Sequence, residues 1–454
     1  MNTDSPNRRI FLSCLVISVV ICLCLSVASI LGVGLILFIT SPDLARINQP
    51  VATDQTQVLD VDQQMEVIEL QVSELRGLEA KSSVSRHLLT PVDLRQHILD
   101  DFLKDYSQEE ARQDALSLWS FGLLERDFKL YDFYIELYSE QVAGFYDQET
   151  KEMFVVQGEG FAGPERLTYA HEFTHALQDQ YYDIQDGLRF NDTDCENESE
   201  RCAAISALLE GDATLAELEW FSSHATARDR REISSFYNNY SSPVFDSAPQ
   251  FMQDDFLFPY EQGQDFVKTI FDEGGWQAVD QAYLDPPVST EQILHPELYP
   301  EDAPVPVEMP VSAQDVGNGW EEIDHGIMGE WYTSLILFAG LDHESRIKRG
   351  QAENAAAGWE GDSYTVFFHE AQDQIIMVLL TTWENDSEAG EFALVFEEYA
   401  NRRFGDASQQ EDGRLAWNSN QGVHMFYRMG ANTAWILAPD TQTAQKIWQA
   451  LPTR

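Results

Sequence analysis

The chain has little positive charge: 28 Lys and Arg stand against 77 Asp and Glu in 454 residues, a formal net charge of −49. Nucleic acid and anionic lipid headgroups are held through Lys and Arg, so neither is expected as a partner. The acidic excess favours neutral or basic peptides over acidic ones, although a solvated shell with no partner accounts for it equally well. Cysteine is scarce too. Of five, Cys14, Cys22 and Cys24 lie in one apolar stretch, where a thiol behaves as a small hydrophobe. That leaves Cys195 and Cys202, and two thiolates with no neighbouring His or further Cys are too few for a thiolate metal site. They bracket a short polar loop, and an oxidising compartment would let them pair. Internal repeats and long low-complexity tracts are absent. The length and the 44% hydrophobic content support a true core and two domains.

Long hydrophobic runs are also rare, with one exception. Residues 10–40 carry no charge, and as a helix they would extend about 46 Å, more than a bilayer core of about 30 Å requires. The run is too long for a cleavable signal, so an uncleaved anchor is expected. Arg8 and Arg9 before it, against Asp43 and Arg46 after it, place the amino terminus in the cytoplasm and the body of the chain outside the cell. The expected layout is a cytoplasmic tail at 1–9, a transmembrane anchor at 10–40, a stalk at 41–64, a main domain at 65–298 and a C-terminal α+β region at 299–454 packed on that core.

Chemistry concentrates in HEFTHALQDQ at 171–180. Neither Gly nor Pro interrupts 167–180, and Leu167, Ala170, Phe173 and Leu177 repeat at helical spacing. His171 and His175, four apart, therefore share a helix face and can point at one ion. Glu172 stands beside the first histidine. Zinc lowers the pKa of a bound water to about 7, and a carboxylate at that position can take its proton and pass it to a leaving amine.

Two histidines leave a catalytic zinc site one protein ligand short. The pattern H-E-x-x-H-x-x-G-x-x-H would need Gly and His at 178 and 181, where the chain has Gln178 and Tyr181. A Glu from a second helix is the remaining common solution. The apolar segment 203–220 offers Glu210, flanked by Leu209 and by Gly211, which leaves room for close backbone approach. Asp212 and Thr214 are both placed to orient a ligand histidine, and helix spacing does not choose between them.

HEFTHALQDQ followed by LLEGDAT at 208–214 resembles the gluzincin-type zincin metallopeptidases, in particular membrane-anchored or exported prokaryotic ones. The resemblance extends to QVAGFYD at 141–147 and PPVSTEQILHP at 286–296, and covers most of the chain beyond residue 65. It implies a zincin-like core with mainly helical surroundings, one Zn2+ ion and a peptide or protein substrate. Thermolysin-like relatives carry an Asp four residues after the ligand Glu. Here that position is Thr214, so their arrangement around the ligands does not carry over.

An oxygen developing negative charge needs a donor. His295, at the end of a short helix capped by Thr290, is the preferred candidate, with His325 second; Tyr146 reads more simply as a half-buried strand aromatic. A hairpin is expected over 144–156, its second strand bordering the cleft and free to pair with an extended substrate. Residues 300–316 read as a linker. Strands at 364–369, 375–383, 423–429 and 433–438, with helices at 387–404 and 443–451, predict a small α+β layer in which His369 and His424 are structural. The expected function is a membrane-anchored, extracytoplasmic zinc peptidase; its rival is a zinc-containing surface binding or scaffold protein without turnover.

Overall fold

The computed structural model describes residues 59–104, 106–156, 160–409 and 413–451. The apolar run at 10–40, its preceding tail and most of the expected stalk lie outside the described residues.

Helix α1 (Val61–Arg76) starts at Asp60, whose carboxylate accepts from the Gln63 N–H while Gln63 reaches back to the Asp60 N–H. It stops at Gly77, whose φ of +76° suits a residue without Cβ. Its buried side is Met65, Ile68, Val72 and Arg76, a helical stripe that ends in a charge. Strand β1 (Ser85–Leu89) leads to α2 (Pro91–His97), then α3 (Gln108–Phe121) and α4 (Leu130–Gln141). Thr90 and Ser107 close capping boxes with Asp93 and Glu110. Strands β2 (Gly144–Asp147) and β3 (Glu152–Val156) form the expected hairpin, with Phe145 and Phe154 opposite each other and stacked at 4.6 Å.

Helix α5 (Gly163–Tyr182) and helix α6 (Ser199–Ser223) follow, and the Cys195–Cys202 disulfide bridges the turn before α6 to its first turn. Closing so short a loop restricts the unfolded chain, a contribution on the order of 2–3 kcal/mol. Reduction, or Cys195→Ser with Cys202→Ser, is expected to lower the urea midpoint accordingly; an unchanged midpoint would show that α6 starts as firmly without the bridge.

After α7 (Ala227–Asn239) comes α8 (Gln250–Gly274), which crosses α6 at backbone distance. A Cβ at Gly211 would stand 2.1 Å from the Gly263 carbonyl oxygen, and one at Gly263 would stand 2.2 Å from that of Ala207. Two short helices, α9 (Trp276–Ala282) and α10 (Thr290–Leu294), complete this half.

The remainder is an antiparallel sheet with helices on it. Its strands are β4 (Glu321–Gly326), β5 (Trp359–His369), β6 (Gln374–Trp383), β7 (Ser408–Gln409), β8 (Leu415–Ser419), β9 (Gly422–Met429) and β10 (Asn432–Ala438), ordered β4-β5-β6-β10-β9-β8-β7. Between β4 and β5 lie α11 (Gly329–Phe338) and α12 (Arg349–Ala356); α13 (Asp386–Phe404) follows β6 and α14 (Thr441–Ala450) follows β10. Successive residues of β6 feed two cores: Ile375, Met377 and Leu379 join the large one shared with the helical half, while Ile376, Val378 and Leu380 pack under α14. Across the first core Phe121 of α3 meets Tyr364 and Trp435 edge-on at 5.5 and 5.9 Å. The segment read as a linker is a strap on the sheet: the Val305 N–H donates to Glu360 O, and Val311 and Val316 are buried.

The expectation of a zincin-like core behind a membrane helix is corrected. The described chain is α+β, and none of its helices is long and apolar enough to cross a membrane. The longest, α6 and α8, are interrupted by acids such as Glu210, Asp212, Glu217, Asp255 and Asp265. The small sheet also differs from the expected cleft border. Its order is β1-β3-β2, so β3, the strand leading into α5, is central and paired on both sides. The edge beside α5 belongs to β2.

Candidate metal centre

Helices α5 and α6 bring together three buried groups: His171, His175 and Glu210 each offer a ligand atom, and these atoms lie within 4.8 Å of one another. Among the described residues this is the one such group of three His, Cys, Asp or Glu. The Glu210 Oε2 atom is 3.1 Å from His171 Nε2 and 3.5 Å from His175 Nε2. The close crossing at Gly211 and Gly263 presses α8 against α6 beside Glu210, and Tyr260 of α8 places its ring 6.4 Å from that of His171.

Both imidazoles are held from behind. Glu217 Oε2 lies 2.9 Å from His171 Nδ1. A carboxylate only accepts, so this nitrogen carries a proton, and Nε2, whose own proton faces Glu210, is the atom free to exchange that proton for an ion. Gln178 does the same for His175. Its Nε2 donates to Leu209 O and Asp212 Oδ2, both at 3.0 Å, which turns its Oε1 toward His175 Nδ1 at 2.7 Å. His175 Nε2 is buried and makes no hydrogen bond among the described residues. An orphaned imidazole nitrogen beside a carboxylate and a second imidazole fits a divalent ion.

Electrostatics agree with that fit. Burial opposes charge on His171, yet hydrogen bonds to Glu210 and Glu217 outweigh it and hold the imidazolium up to about 10. Burial would raise Glu210, but the two histidines bring it down to about 2. The pocket is built to hold positive charge, as a proton or as a metal ion.

Glu172 is fully buried (0% exposed) on the side of α5 that meets β2. Only glycine fits opposite: a Cβ at Gly144 would stand 2.8 Å from Thr168 Cγ2 and 3.4 Å from Glu172 Cγ. Tyr146, on the same strand, spends its hydroxyl on Asp179 Oδ2 at 2.7 Å.

The two histidines proposed as donors stand elsewhere. His325 is on β4, its Nδ1 2.9 Å from Glu322. His295 ends α10, and its Nε2 meets Glu330 Oε1 at 2.9 Å. Ser289 rather than Thr290 caps that helix, because the Thr290 amide and hydroxyl both donate to Glu200. Glu200 precedes Glu210 by ten residues of one helix, about 15 Å along its axis. His295 thus belongs to a separate acidic seam of Glu200, Glu330 and Asp362.

Burial raises Glu200 to about 8 against the Thr290 donors, and raises Asp362 to about 6 against donors on Met328, Gly329 and Trp359. Above pH 4.5 an unfolded Glu releases its proton while folded Glu200 keeps it, so stability from this group falls as pH rises toward 8. Urea unfolding is expected to show the protein weaker at pH 8.5 than at pH 5.5 by a few kcal/mol, on the order of what such a shift implies. Glu200→Gln should flatten that dependence; parallel profiles would contradict it.

Sequence reasoning found the three converging groups but missed the residues that aim them. Glu217 is two helical turns beyond Glu210, and Gln178 is three residues beyond His175. Both spacings were available as signals. Residues 315–448, the sheet region, match a family described as a domain of unknown function (DUF8575). No curated protein and no solved structure matches the chain. The matched span excludes His171, His175 and Glu210, so the candidate metal centre rests on its own geometry.

Proposed function

We propose that the protein is a zinc-dependent peptidase in which His171, His175 and Glu210 hold the ion and Glu172 carries the proton. The observation that supports it most is the convergence of two imidazole Nε2 atoms on one carboxylate, each ring fixed through Nδ1 by its own acceptor. Zinc held there would supply Lewis acidity and lower the pKa of a water to about 7. Glu172, desolvated between α5 and Gly144, would take that water's proton and return it to the departing nitrogen. Glu217 and Gln178 keep the imidazoles from turning. A peptide amide is the proposed substrate because the sequences HEFTHALQDQ and LLEGDAT resemble those of gluzincin-type peptidases. The Cys195–Cys202 disulfide supports work in an oxidising, extracytoplasmic compartment.

The burial of all three ligand groups favours a second reading, a metal protein without turnover. Incubating the zinc-loaded protein with a mixed peptide library separates the two. Cleavage that stops with a chelator and returns with zinc supports the peptidase; tightly bound zinc with no cleavage supports the rival.

A further inference from the structure

Arg76, the last residue of α1, is completely buried (0% exposed). A guanidinium in a protein interior is tolerated only when charge and hydrogen bonds meet it. Its Nε donates to Asp212 Oδ1 at 2.7 Å, one terminal nitrogen donates to Asp212 Oδ2 at 3.2 Å, and the other to Asp280 Oδ1 at 2.7 Å. The Trp276 ring lies 4.6 Å from its centre. Asp212 is buried as well, and its Oδ2 also accepts from the Tyr283 hydroxyl at 2.7 Å and from Gln178 Nε2 at 3.0 Å. The Gln178 oxygen is the atom that meets His175 Nδ1. An unbroken string of hydrogen bonds therefore runs from the end of α1, across α6, to an imidazole of α5.

The side-chain amide of Gln178 has nearly the same shape in either of two flips, and only its neighbours choose between them. With two acceptors, Leu209 O and Asp212 Oδ2, at its nitrogen end, the oxygen faces His175. Nδ1 of that ring then donates, which leaves Nε2, on the Glu210 side, as its ligand atom. In the opposite flip the amide would offer donors to Nδ1 and its oxygen to two acceptors. We infer that Arg76 is a positioning residue for the metal group: by pinning the Asp212 carboxylate it fixes the flip of Gln178, and through it the ring and tautomer of His175. The inference rests on the metal-binding part of the proposed function and makes the docking of α1 a condition for a competent site.

The test is Co2+ affinity by chelator competition, with the visible spectrum of bound Co2+, for the full chain and its variants. Arg76→Met is expected to weaken binding about tenfold, within the roughly 10–100-fold range for outer partners of metal ligands. Gln178→Leu should weaken it at least as much, and the double variant should be no worse than Gln178→Leu alone. Arg76→Lys should recover part of the loss. Asp280→Asn removes a partner that is 37% exposed and should change affinity by no more than about twofold. If Arg76→Met does not fold, Asp212→Asn carries the same comparison with Gln178→Leu. Unchanged affinity in a folded Arg76→Met, or losses that multiply in the double variant, would overturn the inference. A wild-type chain that binds Co2+ yet cleaves no peptide would defeat the peptidase and leave this inference standing; one that binds no Co2+ would defeat both.

Discussion

Glu172→Gln is expected to keep its zinc and to lose about 10²–10⁴-fold in turnover. The two side chains have nearly the same volume, so the packing against Gly144 survives. What disappears is a group able to accept a proton, and an amide cannot do so at neutral pH. Glu172 is not among the three groups whose ligand atoms converge, so metal content should stay at the wild-type level. Metal analysis beside steady-state cleavage checks this. Undiminished turnover would remove Glu172 from the mechanism, and loss of zinc would move it into the ligand set.

Glu210→Gln should have the larger effect on the metal itself. Removing an orienting partner costs roughly 10–100-fold in affinity, and removing a charged ligand should exceed that. Glu210 is the one anion among the three groups, and both imidazoles aim at its Oε2. A neutral amide gives a weaker oxygen donor and withdraws the charge that a buried dication needs. Thermal unfolding with and without added zinc gives a direct reading. A ligand at 100 times its Kd stabilises the folded state by about 2.7 kcal/mol, so the wild type should melt higher with zinc while Glu210→Gln should not. Equal zinc stabilisation of both proteins would place the ion elsewhere.

The contrast between the visible and the hidden parts of this site is physical. His171, Glu172 and His175 lie on one helix, where spacing alone decides which side chains share a face, and Glu210 stands out as an acid in an apolar segment. Gln178 was read only as the absence of a glycine from a longer motif, yet it is the residue that aims His175. The choice of Glu217 over Asp212 or Thr214 depends on how α6 rotates against α5, which no single-helix pattern contains. Arg76 is harder still, because its partner Asp212 is 136 residues away in sequence.

The fold shows the same division. Capping boxes at Thr90 and Ser107 and the continuous apolar runs of β6 and β10 are local features of the sequence. Strands β4 and β8 and helices α4, α7 and α12 were not expected; α7 is amphipathic, but its strongly polar composition masks a buried side of little more than Ile233 and Asp229. The strap at 300–316 misled through its prolines and acids: its buried valines become meaningful only once a sheet lies beneath them. His295 looked like a free helix-end histidine until Glu330 arrived from α11. The central position of β3 follows from β1, a strand separated from it by three α-helices, a π-helical turn and β2.

The account turns on where a metal ion sits and what completes its shell. Anomalous diffraction at the zinc edge, from crystals of the zinc-loaded protein, locates that ion directly. The predicted result is one peak about 2.0–2.2 Å from His171 Nε2, His175 Nε2 and a Glu210 carboxylate oxygen, with a fourth position filled by solvent. A peak away from these atoms, or a fourth protein side chain closing the shell, would contradict it.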